Sequence, residues 1–128
     1  LWIKGITTDP SQRYFFESFN KYKEDDKINF FISKIEEIGK IKKNKKINLK
    51  FVILPYEYQT RNKCASDLLM PQRKIEDILK KRSLNYINLS SNFCNYKNPK
   101  KLFLNFDPVH LSPLGHDLVF NYIKKELD

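Results

Sequence analysis

The pattern of apolar and polar positions predicts amphipathic helices separated by short apolar runs. Aromatic side chains recur at near-helical spacing from Gln12 to Tyr22, which predicts a first helix. Asp25 and Asp26 suit the start of a second helix, whose apolar residues follow at spacings of three and four up to the region 39–43. Further helices are predicted from Gln72 to Lys81 and from Pro113 onward, each with one apolar stripe.

Two apolar runs are predicted as strands. Leu49 to Pro55 is almost continuously apolar, which is typical of a strand buried on both faces. Residues 84–89 alternate between apolar and polar, which indicates a shorter second strand. The order helix, strand, helix, strand predicts parallel pairing through a crossover. Residues 1–10, 56–62 and 90–101 are predicted as loops, and 101–106 as a short extended segment.

The composition is that of a folded domain. A chain of 128 residues with 41% hydrophobic residues has room for one core, and neither a repeat nor a linker divides it. We therefore expect residues 1–128 to form a single α/β unit. No apolar run approaches the roughly 20 residues of a membrane-spanning helix, so no membrane span is expected.

The formal charge of +9, most of it from lysine, has two interpretations. Clustered cations would bind nucleic acid or another anionic surface. Alternatively, the lysines reflect a compositional bias and are spread over solvated faces. We favour the second interpretation and expect no nucleic-acid partner, because no nucleic-acid-binding motif accompanies the charge.

The two cysteines, Cys64 and Cys94, leave their redox state open. They would pair in an oxidising compartment and stay free in a reducing one, so the localisation is also open. Neither lies in a Cys-x-x-Cys unit, so the sequence predicts neither a zinc ribbon nor a dithiol redox centre.

The candidate chemistry lies in the stretch from Phe106 to His116. Asp107 and His110 are three residues apart, immediately ahead of a helix that Ser112 caps and Pro113 begins. A carboxylate at this spacing can reach the imidazole and fix its tautomer, as the acid of a Ser/His/Asp triad does. Considered singly, however, Asp107 is an ordinary turn residue before proline, and His110 an ordinary loop histidine.

Other roles for this stretch are less favoured. Asp107, His110 and His116 supply enough ligands for a catalytic zinc, but a histidine six residues further along, on a helix, does not naturally converge with the loop pair. We therefore predict no metal and no other cofactor. Ser112 is a helix cap whose hydroxyl is committed to backbone groups, so it is not proposed as a nucleophile.

The sequence D-P-V-H-L-S-P-L-G-H resembles the last motif block of the SGNH (GDSL-type) hydrolases. The resemblance implies a flavodoxin-like, three-layer α/β/α fold with a parallel sheet, of which this chain would be the C-terminal part. It implies that Asp107 is the triad acid and His110 the general base. The implied reaction is hydrolysis of an ester, or transfer of its acyl group, through a serine acyl-enzyme, with a small-molecule or carbohydrate ester as the substrate.

The chain departs from the family's pattern in one important respect. It contains no Gly-Asp-Ser, and its only glycines are Gly5, Gly39 and Gly115. We interpret it as the C-terminal portion of such a domain, with the serine and the oxyanion-hole donors in a missing N-terminal part, and expect it to be inactive alone. The alternative is an SGNH-like binding or remnant domain without catalysis.

Three further residues are candidates for the lining of the substrate cleft. Tyr56, Glu57 and Gln59 follow the first predicted strand, and in open α/β sheets ligands bind beyond the carboxyl ends of the strands. An ordinary polar loop explains these residues equally well.

Overall fold

Two short parallel strands are the framework of the fold. The computed structural model describes residues 9–127, so most of the predicted loop 1–10 lies outside the described residues. Strand β1 (Lys50–Ile53) pairs with β2 (Asn85–Asn88) in the register Lys50 to Asn85 through Ile53 to Asn88. The predicted parallel pairing is confirmed.

Helices make up most of the remaining chain. The described residues form six α-helices, which are α1 (Pro10–Lys21), α2 (Asp25–Lys45), α3 (Glu57–Arg61), α4 (Met70–Lys81), α5 (Ser90–Cys94) and α6 (Pro113–Leu127). Two 3₁₀ turns, Ser66–Leu69 and Pro99–Leu102, precede α4 and the segment leading to α6. Over residues 9–127 the protein is therefore a mixed α/β structure that is mainly helical, with a two-stranded parallel sheet.

Local capping explains where two of the helices begin. Asp9 caps α1 by accepting a hydrogen bond from the Ser11 amide at 2.9 Å. Helix α6 begins at Pro113, as predicted, and the Ser112 hydroxyl accepts a hydrogen bond from the Gly115 amide at 3.2 Å. Proline is favoured at this first helical position because its missing N–H would have no intrahelical acceptor.

Two predicted loops contain helices instead. Residues 57–61 form α3 and residues 90–94 form α5, although both follow strands and are rich in polar side chains. The Asn88 side chain accepts a hydrogen bond from the Ser90 amide at 2.9 Å, which helps to start α5. The segment 101–106 is also not extended as a whole, since it contains the end of a 3₁₀ turn and one isolated bridge from Phe103 to Leu111.

The core is divided between the two faces of the sheet, because successive strand residues point to opposite sides. On one face Ile53 packs with apolar residues of α2 and α4; on the other, Leu54 and Ile87 pack against a second cluster that includes residues of α5 and α6. The buried members of the two clusters are Ile28, Ile35, Ile53, Ile78, Leu79 and Leu84, and Leu89, Phe93, Leu102 and Phe103.

Strand β1 is less buried than its apolar sequence predicts. Val52 is 36% exposed, so the expectation of a strand buried on both faces is wrong at this position. In a two-stranded sheet each strand has one unpaired edge, and among the described residues only β2 pairs with β1.

Cys64 and Cys94 are joined by a disulfide, with their Cα atoms 5.8 Å apart. This separation is usual for a disulfide. Cys64 follows α3, and Cys94 is the last residue of α5. The bridge therefore connects the segment that follows β1 to the segment that follows β2.

Candidate active site

The loop that carries Asp107 and His110 is closed by backbone hydrogen bonds. The Leu104 amide donates to the His110 carbonyl at 3.0 Å, and the Ser112 amide donates to the Leu102 carbonyl at 3.0 Å. These bonds hold the two ends of the loop together. Because Leu102 is fully buried, the closed loop is anchored directly on the core.

The same loop is attached at the carboxyl edge of the sheet. The amide of Glu57 donates to the carbonyl of Pro108 at 3.1 Å. Glu57 is the first residue of α3, and only residues 54–56 separate it from the end of β1. The loop therefore lies at the edge where ligands bind in open α/β sheets.

Asp107 uses both of its carboxylate oxygens within a four-residue segment. Its Oδ1 accepts hydrogen bonds from the amides of Val109 at 2.9 Å and His110 at 2.8 Å. Its Oδ2 lies 2.8 Å from Nδ1 of His110. The backbone amides of His110 and Val109, followed by the His110 side chain, lower the pKa of Asp107 to about 2. The carboxylate is consequently ionised at neutral pH.

This geometry determines which nitrogen of His110 is available for chemistry. An ionised carboxylate only accepts hydrogen bonds, so Nδ1 must carry the proton that lies between the two groups. Nε2 of the neutral ring is then an acceptor. The His110 side chain is 73% exposed, and Nε2 has no hydrogen-bond partner among the described residues. The ring is thus oriented as a general base would be.

The three predicted cleft residues do not share one surface. Glu57 lines a cavity of about 210 Å³ together with Asp107, Arg61 and Lys100. The Tyr56 ring packs instead against Phe15, with a centroid distance of 5.6 Å, and borders a different cavity. Glu57 is therefore the one of the three that lies beside Asp107, and its contact with a substrate stays a prediction.

Gln59 is fully buried, which contradicts its predicted place on the surface of a cleft. Its Nε2 donates to the side chain of Gln72 and to the Leu68 carbonyl, both at 2.7 Å, while its Oε1 accepts from the Tyr56 amide at 2.7 Å. Gln72 in turn donates to the Leu54 carbonyl at 3.1 Å. The amide of Gln59 is thus committed to holding the segment after β1 in place.

Arg61 is a polar residue of this region that was not predicted. Its Nε lies 3.4 Å from Oε1 of Glu57, and its Nη2 pairs with the carboxylate of Asp9. Partial burial acts to raise the pKa of Asp9, but hydrogen bonding to the Arg61 guanidinium and its charge lower it overall. The i, i+4 spacing of Glu57 and Arg61 was a usable signal for the first pair. The pairing with Asp9 depends on the packing of α1 against α3.

The remaining candidates of the stretch have local structural contacts. Ser112 donates its hydroxyl to the Lys101 carbonyl and caps α6. His116 is exposed in the first turn of α6 and has no side-chain hydrogen bond to Asp107 or His110. Within residues 9–127, no cluster of three or more histidine, cysteine or acidic side chains has a geometry suited to a metal ion.

Comparison of the chain with protein-family models, with curated proteins and with solved structures gives no significant match. No described helix is long and apolar enough to cross a membrane. The resemblance of the Asp107 to His116 block to the SGNH hydrolases rests on the sequence and stays a prediction.

Proposed function

We propose that this chain supplies the acid and base of an SGNH-type serine esterase or O-acyltransferase. The observation that carries the proposal is the 2.8 Å contact between Asp107 Oδ2 and His110 Nδ1, at the carboxyl edge of the sheet, with Nε2 exposed. An ionised acid and an accessible base, oriented by one another, are two of the three parts of a triad.

In the proposed reaction His110 Nε2 takes the proton of a serine hydroxyl as the serine oxygen attacks the ester carbonyl carbon. The imidazolium returns that proton to the leaving alcohol, and the acyl group stays on the serine. Water or a sugar hydroxyl then attacks the acyl-serine while His110 takes its proton. The imidazolium returns this proton to the departing serine oxygen, and the acid or the new ester is released. Asp107 stays ionised throughout and stabilises the imidazolium. No Gly-Asp-Ser occurs in the 128 residues, so the proposal requires a serine from another segment.

The arrangement of the core supports the finer fold that the resemblance implies. Apolar clusters involving helices lie against both faces of the parallel pair, one with α2 and α4 and the other with α5 and α6. A flavodoxin-like α/β/α arrangement has helices on both faces of a larger parallel sheet. We propose that β1 and β2 belong to such a sheet.

The test uses the complete gene product that contains this chain and a fluorophosphonate probe, which phosphonylates activated serines. We expect one labelled serine outside the 128 residues, with labelling slowed by about 10²–10⁴-fold in His110→Ala because the general base is lost. His116→Ala is the matched control and should label at the wild-type rate. Circular dichroism verifies that each variant is folded.

Two results would contradict the proposal. Equal labelling of the His110→Ala variant and the wild type would show that His110 is not the base. A folded complete gene product with no labelled serine would favour the alternative, a binding or remnant domain. We retain this second candidate function because the chain contains no Gly-Asp-Ser.

A further inference from the structure

The amino edge of the sheet, opposite the Asp107 loop, collects the C-terminal ends of three helices. Residues 46–49 alone connect the end of α2 to β1, and residues 82–84 connect the end of α4 to β2. The end of α6 also reaches this edge, since the Lys50 ammonium lies 3.4 Å from the Glu126 carboxylate. The direction of the chain therefore brings the last turns of α2, α4 and α6 together.

These helix ends are strongly basic. We call the cations of the last turns and of the adjoining strand starts the basic end. Its members, eleven of the 24 Lys and Arg residues of the chain, are Lys40, Lys42, Lys43, Lys45, Lys46, Lys50, Lys80, Lys81, Arg82, Lys124 and Lys125. The other 13 cations of the sequence lie outside the basic end, so the interpretation that the lysines are spread over solvated faces stays open for them.

Few carboxylates neutralise the basic end. Arg82 pairs with Glu36 at 2.7 Å, and Lys50 pairs with Glu126 at 3.4 Å. No other cation of the basic end has an ion-pair partner among the described residues. The unpaired ammonium groups are available to an anionic partner.

An apolar groove lies between these cations. It has a volume of about 790 Å³, and its lining includes the buried side chains of Ile35 and Leu84. The charged side chains Lys42, Lys43, Arg82 and Glu36 also line it. Three isoleucines of the same region are also open to solvent, with exposed fractions of 38% for Ile38, 52% for Ile41 and 46% for Ile47. Binding to the interface of a bilayer combines the burial of apolar area with the attraction of basic side chains to anionic lipid, and this region offers both kinds of side chain.

We propose that the basic end binds the surface of a membrane rich in anionic lipid. The ammonium groups would contact headgroup phosphates, while Ile41 and Ile47 enter the boundary between headgroups and acyl chains. The phosphates of a nucleic acid would pair with the cations of the basic end, but the isoleucines would stay exposed to solvent. The bilayer is the partner that matches both the charge and the apolar groove. This inference is independent of the proposed catalysis, and it orients the Asp107 loop away from the bilayer.

The test is co-sedimentation of the full chain with vesicles of phosphatidylcholine alone, or of phosphatidylcholine and phosphatidylglycerol in equal parts. We expect the partition coefficient to be at least about tenfold higher on the anionic vesicles and to fall as salt is raised. The triple substitution Lys42→Gln, Lys43→Gln and Lys46→Gln should lower it by about 100-fold, since each lysine contributes about a factor of five.

The matched control is the triple substitution Lys21→Gln, Lys63→Gln and Lys97→Gln, which removes the same charge from exposed positions outside the basic end. It should retain most of the binding. A third variant, Ile41→Ser with Ile47→Ser, should bind several-fold more weakly than the wild type at the same salt concentration because it loses apolar contact. Circular dichroism shows that each variant is folded.

Three outcomes would overturn the proposal. One is equal binding to neutral and anionic vesicles, and another is an equal loss of binding in the two lysine variants. The third is preferential binding to a fluorescent DNA duplex that the isoleucine substitutions leave unchanged, which would identify the partner as nucleic acid.

Discussion

At the scale of the residue, Asp107 performs two tasks with two oxygens. Oδ1 accepts hydrogen bonds from two backbone amides and so stabilises the turn. Oδ2 accepts a hydrogen bond from the imidazole of His110. The sequence presents a turn residue and a triad acid as alternative interpretations of Asp107. The geometry of this one side chain is compatible with both. The contacts span only residues 107–110, so they depend on the local conformation of the loop.

The low pKa of Asp107 predicts a pH dependence of stability. The folded-state pKa of about 2 lies below the ordinary value of 3.8, so the ionised form favours folding. This contribution is present above about pH 4 and is lost as the pH falls towards 2. The difference in unfolding free energy between wild type and Asp107→Asn, measured by urea denaturation, should shrink over that range. A difference that is constant from pH 6 to 2 would contradict the assignment.

Gly115 is required by a close approach between α6 and the preceding segment. A Cβ at this position would lie 2.1 Å from the carbonyl oxygen of Leu102, which is a backbone atom and cannot rotate away. We expect Gly115→Ala to lower the free energy of unfolding by about 1–3 kcal/mol, the usual effect of overpacking. Urea denaturation measures the change.

Gly39 is the matched control for this substitution. A Cβ there would meet only Leu84 Cδ2, at 3.9 Å, which is an ordinary contact. Gly39 lies inside α2, so Gly39→Ala should stabilise the protein by about 0.5–1 kcal/mol through the higher helix propensity of alanine. Equal effects of the two alanines would show that the close approach at Gly115 is absent.

At the scale of the element, the buried pair Gln59 and Gln72 connects α3 to α4. Each amide donates to the other, at 2.7 and 2.9 Å, and each also bonds to a backbone group. A polar sequence at 56–62 therefore forms a helix with a buried side chain instead of an exposed loop. Glutamine is tolerated in this interior because the structure gives its polar atoms partners.

Removing one member of the pair should be costly. Gln72→Ala leaves the Leu54 carbonyl and part of the Gln59 amide without a partner, and each such buried group costs about 1–3 kcal/mol. We expect a loss of this size in urea denaturation. Asn62→Ala is the control and should change stability by less than about 0.5 kcal/mol, because Asn62 is exposed and bonds only within its own turn. Similar losses in both variants would contradict the role of the pair.

At the scale of the whole molecule, the parallel topology gives the protein two unlike ends. The carboxyl edge of the sheet carries the Asp107 loop, Glu57 and the disulfide, while the amino edge carries the basic end. Lysines near helix C-termini also suit the helix dipole, so the basic end is consistent with the stability of the individual helices. The two ends can therefore have different partners.

The disulfide predicts a dependence of stability on reductant. Cys64 and Cys94 are 30 residues apart, and a bridge over a loop of this size typically stabilises by about 2–4 kcal/mol. Thermal or urea unfolding of the wild type should shift to lower stability when reductant is added, and the Cys64→Ala, Cys94→Ala double variant should show no shift. If reductant leaves the wild type unchanged, the two thiols are free.

Two local features could be predicted from neighbouring residues: the start of α6 at Ser112 and Pro113, and the contact of Asp107 with His110. The order of helices and strands along the chain was enough to predict the parallel pairing. The burial of Gln59, the direction of the Tyr56 ring and the position of the basic end could not be predicted in this way. The difference lies in the range of the interactions. A hydrogen bond between residues i and i+3 depends on a few backbone dihedrals, whereas burial and charge clustering depend on which distant elements pack together.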